Sequence, residues 1–121
     1  MSKPDIGLST LLDMDGSVLE QQGGFWVKME VRQIAISVQV PHGIRYSLTL
    51  HDRYGTRVLG YDNAHAVKPL QKYRFAGQRL PYDHRHRTSS DKGVPYVFES
   101  AQVLLEDFFA EVDRVIKEAT Q

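Results

Sequence analysis

The chain has 121 residues, of which 41% are hydrophobic and 25% charged, so it is long enough for one hydrophobic core and we expect a single domain over residues 1–121. It contains no cysteine, which excludes disulfides and a thiol nucleophile and leaves His, Asp and Glu as ligands for any metal. No run approaches the roughly 18 apolar residues of a membrane helix, and the N-terminus lacks the apolar core of a signal peptide. A cytoplasmic location with no membrane partner is therefore expected.

The net charge of zero conceals an uneven distribution along the chain. Residues 28–87 contain eleven basic and four acidic side chains, together with all five histidines, whereas residues 99–118 contain six acids and two bases. A basic middle between acidic ends favours a polyanion-binding surface. The alternative is an evenly mixed surface on which the charges cancel in space.

Several segments in chain order indicate strands. Asp15-Gly16, between two apolar runs, predicts a hairpin turn. Apolar and polar residues then alternate over residues 25–32 and 44–51, as in half-buried strands, and "TRVLGYDN" predicts a third. A weaker pattern suggests a short strand at Tyr73 and Phe75. "LPYDHRHR" and "VPYVFES" predict two more short strands.

The last segment predicts an amphipathic helix that Ser100 caps. Its apolar residues recur at helical spacing: Ala101, Leu104, Leu105, Phe108, Val112, Val115 and Ile116. The predicted fold is therefore α+β, a mostly antiparallel sheet of five or six strands with the C-terminal helix packed on one face.

"YDHRHR" concentrates two histidines and two arginines in six residues. On a strand, alternation would place His84 and His86 on one face and the two arginines on the other. Two histidines at this spacing can share a metal ion. However, no further ligand pattern completes such a site, and the arginines disfavour a cation. We therefore expect no bound metal, and a metal-dependent enzyme built on His84 and His86 is kept as an alternative.

"LTLHDRYGTRVLGYDNAHAV" combines histidines, carboxylates and arginines over two predicted strands. An imidazole titrates near pH 6.5 and can act as a base or an acid at neutral pH. Adjacent carboxylates can orient it, and arginines can stabilise charge that develops on a phosphoryl group. Metal-free cleavage of RNA requires these groups. Turn capping by the Asp side chains is the structural alternative.

No motif for binding a nucleotide cofactor is present, so no cofactor is expected. Tyrosines interleaved with basic residues, among them Tyr61 and Tyr82, could stack on unpaired bases. Packing at a core or an edge would explain them equally well.

Several of these segments together resemble the TumE family of toxins from bacterial toxin–antitoxin systems. They are "GGFWVKMEVR", "PHGIRYSLTLHDRYGTRVLGYDNAHAV", "YDHRHR" and "YVFESAQVLLEDFFAEVDRVI". The resemblance implies a small cytoplasmic toxin encoded beside a DNA-binding antitoxin that neutralises it. Toxins of such systems are often ribonucleases.

The leading hypothesis is therefore a toxin that cleaves RNA without a metal. The candidate catalytic residues are His51 and His65 as base and acid, Asp52 and Asp62 as their orienting carboxylates, and Arg57 as a phosphoryl-stabilising cation. The candidate RNA- and phosphate-binding residues are His84, Arg85, His86, Arg87, Arg53, Tyr61 and Tyr82, of which either histidine could replace one of the catalytic pair.

The alternatives are a non-catalytic toxin that binds RNA or a translation factor, the metal-dependent enzyme, and an inactive interaction module. The expected partners are the antitoxin and RNA, and a homodimer is considered as the assembly.

Overall fold

The computed structural model describes residues 6–38, 40–63, 83–86 and 94–120. Within them, six strands form an antiparallel sheet in which spatial order equals chain order. The elements are α1 (Ile6–Asp13), β1 (Val18–Glu20), β2 (Trp26–Gln33), β3 (Ile44–His51), β4 (Arg57–Asp62), β5 (His84–His86), β6 (Val94–Pro95) and α2 (Ala101–Ala119). The predicted α+β class, antiparallel sheet and C-terminal helix are confirmed.

The alternation of side chains in β2 and β3 divides the sheet into two faces. Val27, Met29 and Val31 on β2 are buried, as is every second residue of β3 beginning with Ile44. The intervening residues are half-buried or exposed. One face of the sheet therefore belongs to the core, and the opposite face, which we call the polar face, carries the hydrophilic side chains of both strands.

Helix α2 covers the core face. The Ser100 side chain accepts a hydrogen bond from the Val103 N–H at 3.1 Å, which caps the first turn as predicted. The buried stripe of the helix includes Phe108, whose ring packs edge-on against Tyr61 of β4 at 5.6 Å. Helix α1 packs against the same core through the fully buried Leu11.

The predicted hairpin at Asp15-Gly16 is wrong in its first arm, because the preceding segment is helix α1. Leu8, Leu11 and Leu12 recur at helical rather than strand spacing. The turn itself is present, with Gly16 at φ +80° and the Asp15 carboxylate accepting from a backbone N–H of β2 at 2.8 Å. The chain thus enters the sheet from a helix.

Strand β2 ends at Gln33, and the apolar residues that follow it do not lengthen the strand. Two of them, Ile36 and Val38, are exposed. The weaker strand predicted at Tyr73 and Phe75 lies outside the described residues. Among the described residues, no helix is both long and apolar enough to cross a membrane.

Candidate functional site

Four of the sequence-predicted residues lie together on the polar face of β3, β4 and β5. Two further residues, Trp26 and Thr49, complete the group. We refer to this set as the polar-face cluster: Trp26, Thr49, His51, Arg57, Asp62 and His86.

His51, the last residue of β3, is held on three sides. Its ring stacks on Trp26 with centroids 4.1 Å apart and planes inclined by 11°. Its Nδ1 lies 3.3 Å from the Gly55 carbonyl oxygen, and its Nε2 lies 2.9 Å from Thr49 Oγ1. A carbonyl oxygen can only accept, so the neutral ring carries its proton on Nδ1 and presents the Nε2 lone pair to the polar face.

Arg57 reaches the same face across a glycine. A Cβ atom on Gly60 would lie 3.5 Å from Arg57 Cδ, and 3.6 Å from both Arg57 Nη1 and Thr49 Cγ2. The arginine side chain therefore crosses the bare backbone of β4 beside Thr49. Because Gly60 pairs with Thr49 on β3 and with His86 on β5, the guanidinium lies between the two histidine-bearing strands.

His86 pairs with Asp62 on the adjacent strand. Nε2 of the histidine lies 3.1 Å from the Asp62 carboxylate, and the two side chains are 13% and 15% exposed. Thr49, which bonds His51 on β3, lies two strands away from His86, or about 10 Å between backbones at the usual spacing of strands. His51 and His86 therefore lie on one face of the sheet, and the Arg57 side chain crosses β4, the strand between theirs.

Two candidates belong to the turn between β3 and β4. The Asp52 carboxylate accepts hydrogen bonds from the N–H groups of Tyr54 and Thr56 at 2.9 and 3.0 Å, so it caps the turn, which was the structural alternative for this residue. The tautomer of His51 is set by the Gly55 carbonyl and not by Asp52. Arg53 projects from the tip of the turn, where its Nη2 donates to the Tyr54 hydroxyl at 2.7 Å.

Tyr61 and Arg85 lie on the core side, opposite each other in register. Arg85 Nη1 bonds the Glu111 carboxylate of α2 at 3.0 Å, and Glu111 also pairs with Arg114. Burial raises the pKa of Tyr61, and a hydrogen bond to Arg85 offsets part of that effect. These two residues line a cleft of about 400 Å³ beside α2, away from the polar-face cluster.

A second histidine–carboxylate pair is buried on the core side. His42 Nε2 lies 3.0 Å from the Asp83 carboxylate, which also accepts from the Tyr46 hydroxyl at 2.6 Å. His42 Nδ1 accepts from the Ile44 N–H at 3.3 Å, and its ring stacks on Phe98 at 3.9 Å. Burial and the neighbouring Asp83 carboxylate raise the pKa of Tyr46. Both ring nitrogens of His42 are hydrogen-bonded within the protein, which indicates a structural role for this histidine.

The remaining candidates are placed only in part. The backbone of His84 pairs opposite Asp62. His65, Tyr82 and Arg87 lie outside the described residues. Over the described ranges, no three His, Cys, Asp or Glu side chains are arranged to hold a metal ion.

Trp26 and Thr49 were not among the site residues predicted from the sequence. Their polar-face positions in alternating strands were readable, but their contact with His51 depends on the register that pairs Trp26 with His51. His42 and Tyr46 were missed as partners of Asp83 because 37 or more positions separate them in sequence.

Comparison with known proteins identifies the family of the chain but no individual relative. No curated protein and no solved structure matched it. The family model described as Toxin TumE matches residues 19–116, a range that extends from β1 through β5 into α2 and includes the whole polar-face cluster. The chain therefore belongs to the TumE toxin family.

Proposed function

We propose that this toxin acts by cleaving RNA at the polar-face cluster, with His51 and His86 as the acid–base pair. The observation that carries the proposal is that both imidazoles lie on one face of the sheet with the Arg57 side chain between their strands. The toxin function follows from the family, whereas the substrate and the chemistry are the proposal.

His51 is the proposed base. Its Nε2 lone pair would accept the proton of a ribose 2′-hydroxyl in place of the Thr49 hydroxyl that occupies this position. The 2′-oxygen then attacks the adjacent phosphorus, and a 2′,3′-cyclic phosphate forms as the bond from phosphorus to the 5′-oxygen breaks. The Trp26 stack and the Gly55 carbonyl hold the ring in the required orientation and tautomer.

His86 is the proposed acid. Protonated His86, whose Nε2 pairs with Asp62, would transfer a ring proton to the leaving 5′-oxygen. His65 remains the alternative acid, as the sequence suggested. His84 and Arg87 remain candidate phosphate contacts on the same segment as His86, and Tyr82 remains a candidate for base stacking.

Arg57 would stabilise the transition state. The charge on the non-bridging oxygens increases as the phosphorus becomes five-coordinate, and a guanidinium already positioned between base and acid needs little reorganisation to meet it. Arg85 is ion-paired to Glu111 on the core side and Tyr61 is buried there. Any contact they make with RNA would therefore be outside the cluster.

The first experiment compares RNA cleavage by the purified protein and its variants. His51→Ala and His86→Ala should each lower the cleavage rate by roughly 100- to 10,000-fold, the usual contribution of a positioned acid or base. Arg57→Ala should lower the rate strongly, and Arg114→Ala, which removes an equal charge from α2, should not. The products of the wild-type protein should carry 2′,3′-cyclic phosphates.

Retention of the wild-type rate by both histidine variants would reject the assignment. Loss of cleavage on adding a chelator, restored by a divalent metal, would instead support the metal-dependent alternative. Expression in cells provides the matching readout, because the inactive variants should no longer arrest growth while still folding.

A non-catalytic toxin is the second candidate. Both nitrogens of His51 already have protein partners, at Thr49 and Gly55, which is also what a packed binding surface would show. The basic excess of residues 28–87 would then hold RNA or a translation component. This candidate requires salt-sensitive binding without cleavage products.

Membership of a toxin family implies an antitoxin partner. We further propose that this antitoxin binds DNA, that the toxin acts in the cytoplasm, and that a homodimer is a candidate assembly. Co-expression with the neighbouring gene, followed by size-exclusion chromatography with light scattering, tests the partner and the assembly together.

A further inference from the structure

The turn between β3 and β4 carries an aromatic side chain that the core does not use. The Tyr54 side chain is 77% exposed, although the turn beneath it is held by four hydrogen bonds. Two use the Asp52 carboxylate, and two are backbone bonds that join Asp52 to Gly55 and Thr56. Gly55 supplies the positive φ, +86°, that the turn requires. A rigid turn therefore presents a ring to solvent.

Arg53 forms one surface with this ring. Its guanidinium carbon lies 4.9 Å from the centroid of Tyr54, and its Nη2 donates to the tyrosine hydroxyl at 2.7 Å. The stem of the arginine is packed against Gly24, where an added Cβ would lie 2.8 Å from Arg53 Cβ. The pair is thus fixed at both ends, and in the described part of the chain no other aromatic ring stacks on Tyr54.

The turn is joined directly to the proposed base. Gly55, the residue after Tyr54, contributes the carbonyl oxygen that engages His51 Nδ1, and Arg57 begins the next strand. A nucleotide whose phosphate lies at the polar-face cluster would therefore have a neighbouring base within reach of the Arg53–Tyr54 surface. That surface is both cationic and aromatic, and such surfaces stack on unpaired bases.

We propose that Arg53 and Tyr54 form a stacking platform for one unpaired base beside the scissile phosphate, which makes single-stranded RNA the substrate class of this toxin. The inference rests on the proposed function, since it assumes that RNA binds at the polar-face cluster. A duplex offers no exposed base face for such stacking. The platform consequently discriminates between the two forms of RNA.

The test measures binding rather than cleavage, so that it does not depend on catalysis. Fluorescently labelled single-stranded RNA and a duplex of the same sequence are titrated with the His51→Ala protein and with the same protein carrying a second substitution. Tyr54→Ala should weaken single-strand binding by about 5- to 150-fold, the usual effect of losing one stacked base. Duplex binding should stay within about twofold.

Three further variants separate stacking from other causes. Tyr54→Phe keeps the ring and should retain affinity within about threefold, whereas Tyr54→Leu should lose as much as alanine. Arg53→Ala removes the cationic half of the platform and should weaken single-strand binding more than duplex binding. Val97→Ala, which truncates a side chain that is 72% exposed near α2, is the control and should change nothing.

Different results would reject the stacking platform and the proposed RNA cleavage. If Tyr54→Ala weakens single-strand and duplex binding equally, or if neither RNA binds, the platform is rejected. If the wild-type protein cleaves RNA, and Tyr54→Ala changes neither binding in the His51→Ala protein nor cleavage in the otherwise wild-type protein, the platform is rejected and the proposed function stands. If Tyr54→Ala weakens only single-strand binding and the wild-type protein never cleaves, the platform stands and ribonuclease action is rejected.

Discussion

The two histidine–carboxylate pairs of this toxin have similar exposure and different surroundings. The side chains of His42 and Asp83 are 12% and 7% exposed, and those of His86 and Asp62 are 13% and 15% exposed. Burial therefore does not distinguish them. The groups that surround each pair do.

Asp83 joins three parts of the chain. It bonds His42 in the loop before β3 and Tyr46 within β3, while its backbone carbonyl accepts from the Tyr96 N–H just after β6. The Asp62–His86 pair instead lies on the polar face, beside the glycine that the Arg57 side chain crosses. The same pair of residue types can thus join separate parts of the chain on the core side or lie beside an arginine on the polar face.

The largest contrast is expected from removing each carboxylate. Asp83→Ala leaves the Tyr46 hydroxyl and a His42 nitrogen buried without an acceptor, and should lower the free energy of unfolding by about 3–5 kcal/mol. Asp62→Ala removes one partner of a surface-facing pair and should cost about 1–2 kcal/mol. Urea denaturation measures both.

Activity should show the opposite order. RNA cleavage by Asp83→Ala should follow the fraction of folded protein, whereas Asp62→Ala should be impaired while fully folded. Equal losses of stability, or normal cleavage by Asp62→Ala, would remove the distinction between the pairs.

Alkaline pH should lower the free energy of unfolding through Tyr46, which hydrogen-bonds to Asp83 on the core side. Burial, and then Asp83, keep the phenol neutral in the folded chain, so its pKa is raised above the value of about 10 that it has when unfolded. The stabilisation is complete below pH 10 and is lost as pH rises further, because only the unfolded chain releases the proton. This tyrosine alone should cost about 1.4 kcal/mol by pH 11.

Tyr46→Phe tests this assignment. The variant is expected to be less stable at pH 8, where it lacks the hydrogen bond to Asp83, but to lose less stability between pH 9 and pH 11 than the wild type. Parallel curves for the two proteins would mean that Tyr46 does not titrate on unfolding. Absorbance of tyrosinate near 295 nm reports the ionisation directly.

Local periodicity was sufficient to predict most of the fold. The alternation in β2 and β3 and the apolar stripe of α2 each state which side chains are buried, because a half-buried element repeats its environment at its own period. Helix α1 was not predicted, because an Asp-Gly turn between two apolar runs is typical of a hairpin and the helical spacing of Leu8, Leu11 and Leu12 covers only two turns.

The candidate site was predictable in composition but not in pairing. His51, Arg57, Asp62 and His86 were chosen for their chemistry, and they share a face. That Asp62 meets His86, and that Arg85 turns towards Glu111, depends on the register between β4 and β5, whose strands are separated by more than twenty residues. No local pattern encodes that register.

The smallest effect is expected from Gly60→Ala, and its comparison with Gly60→Val tests how Arg57 reaches the cluster. An alanine Cβ there would make ordinary contacts of 3.5–3.6 Å with Arg57 and Thr49. Gly60→Ala should therefore keep cleavage within about threefold and raise the free energy of unfolding by about 0.5–1 kcal/mol, since glycine within a strand is entropically costly.

Gly60→Val adds two methyl groups beyond the alanine Cβ where the arginine crosses β4, and it should displace the guanidinium. Thermal denaturation should show both proteins folded, and only the valine variant should lose cleavage, as Arg57→Ala does. Full activity in the valine variant would show that the guanidinium is not needed above Gly60, and it would leave the two imidazoles without the cation proposed between them.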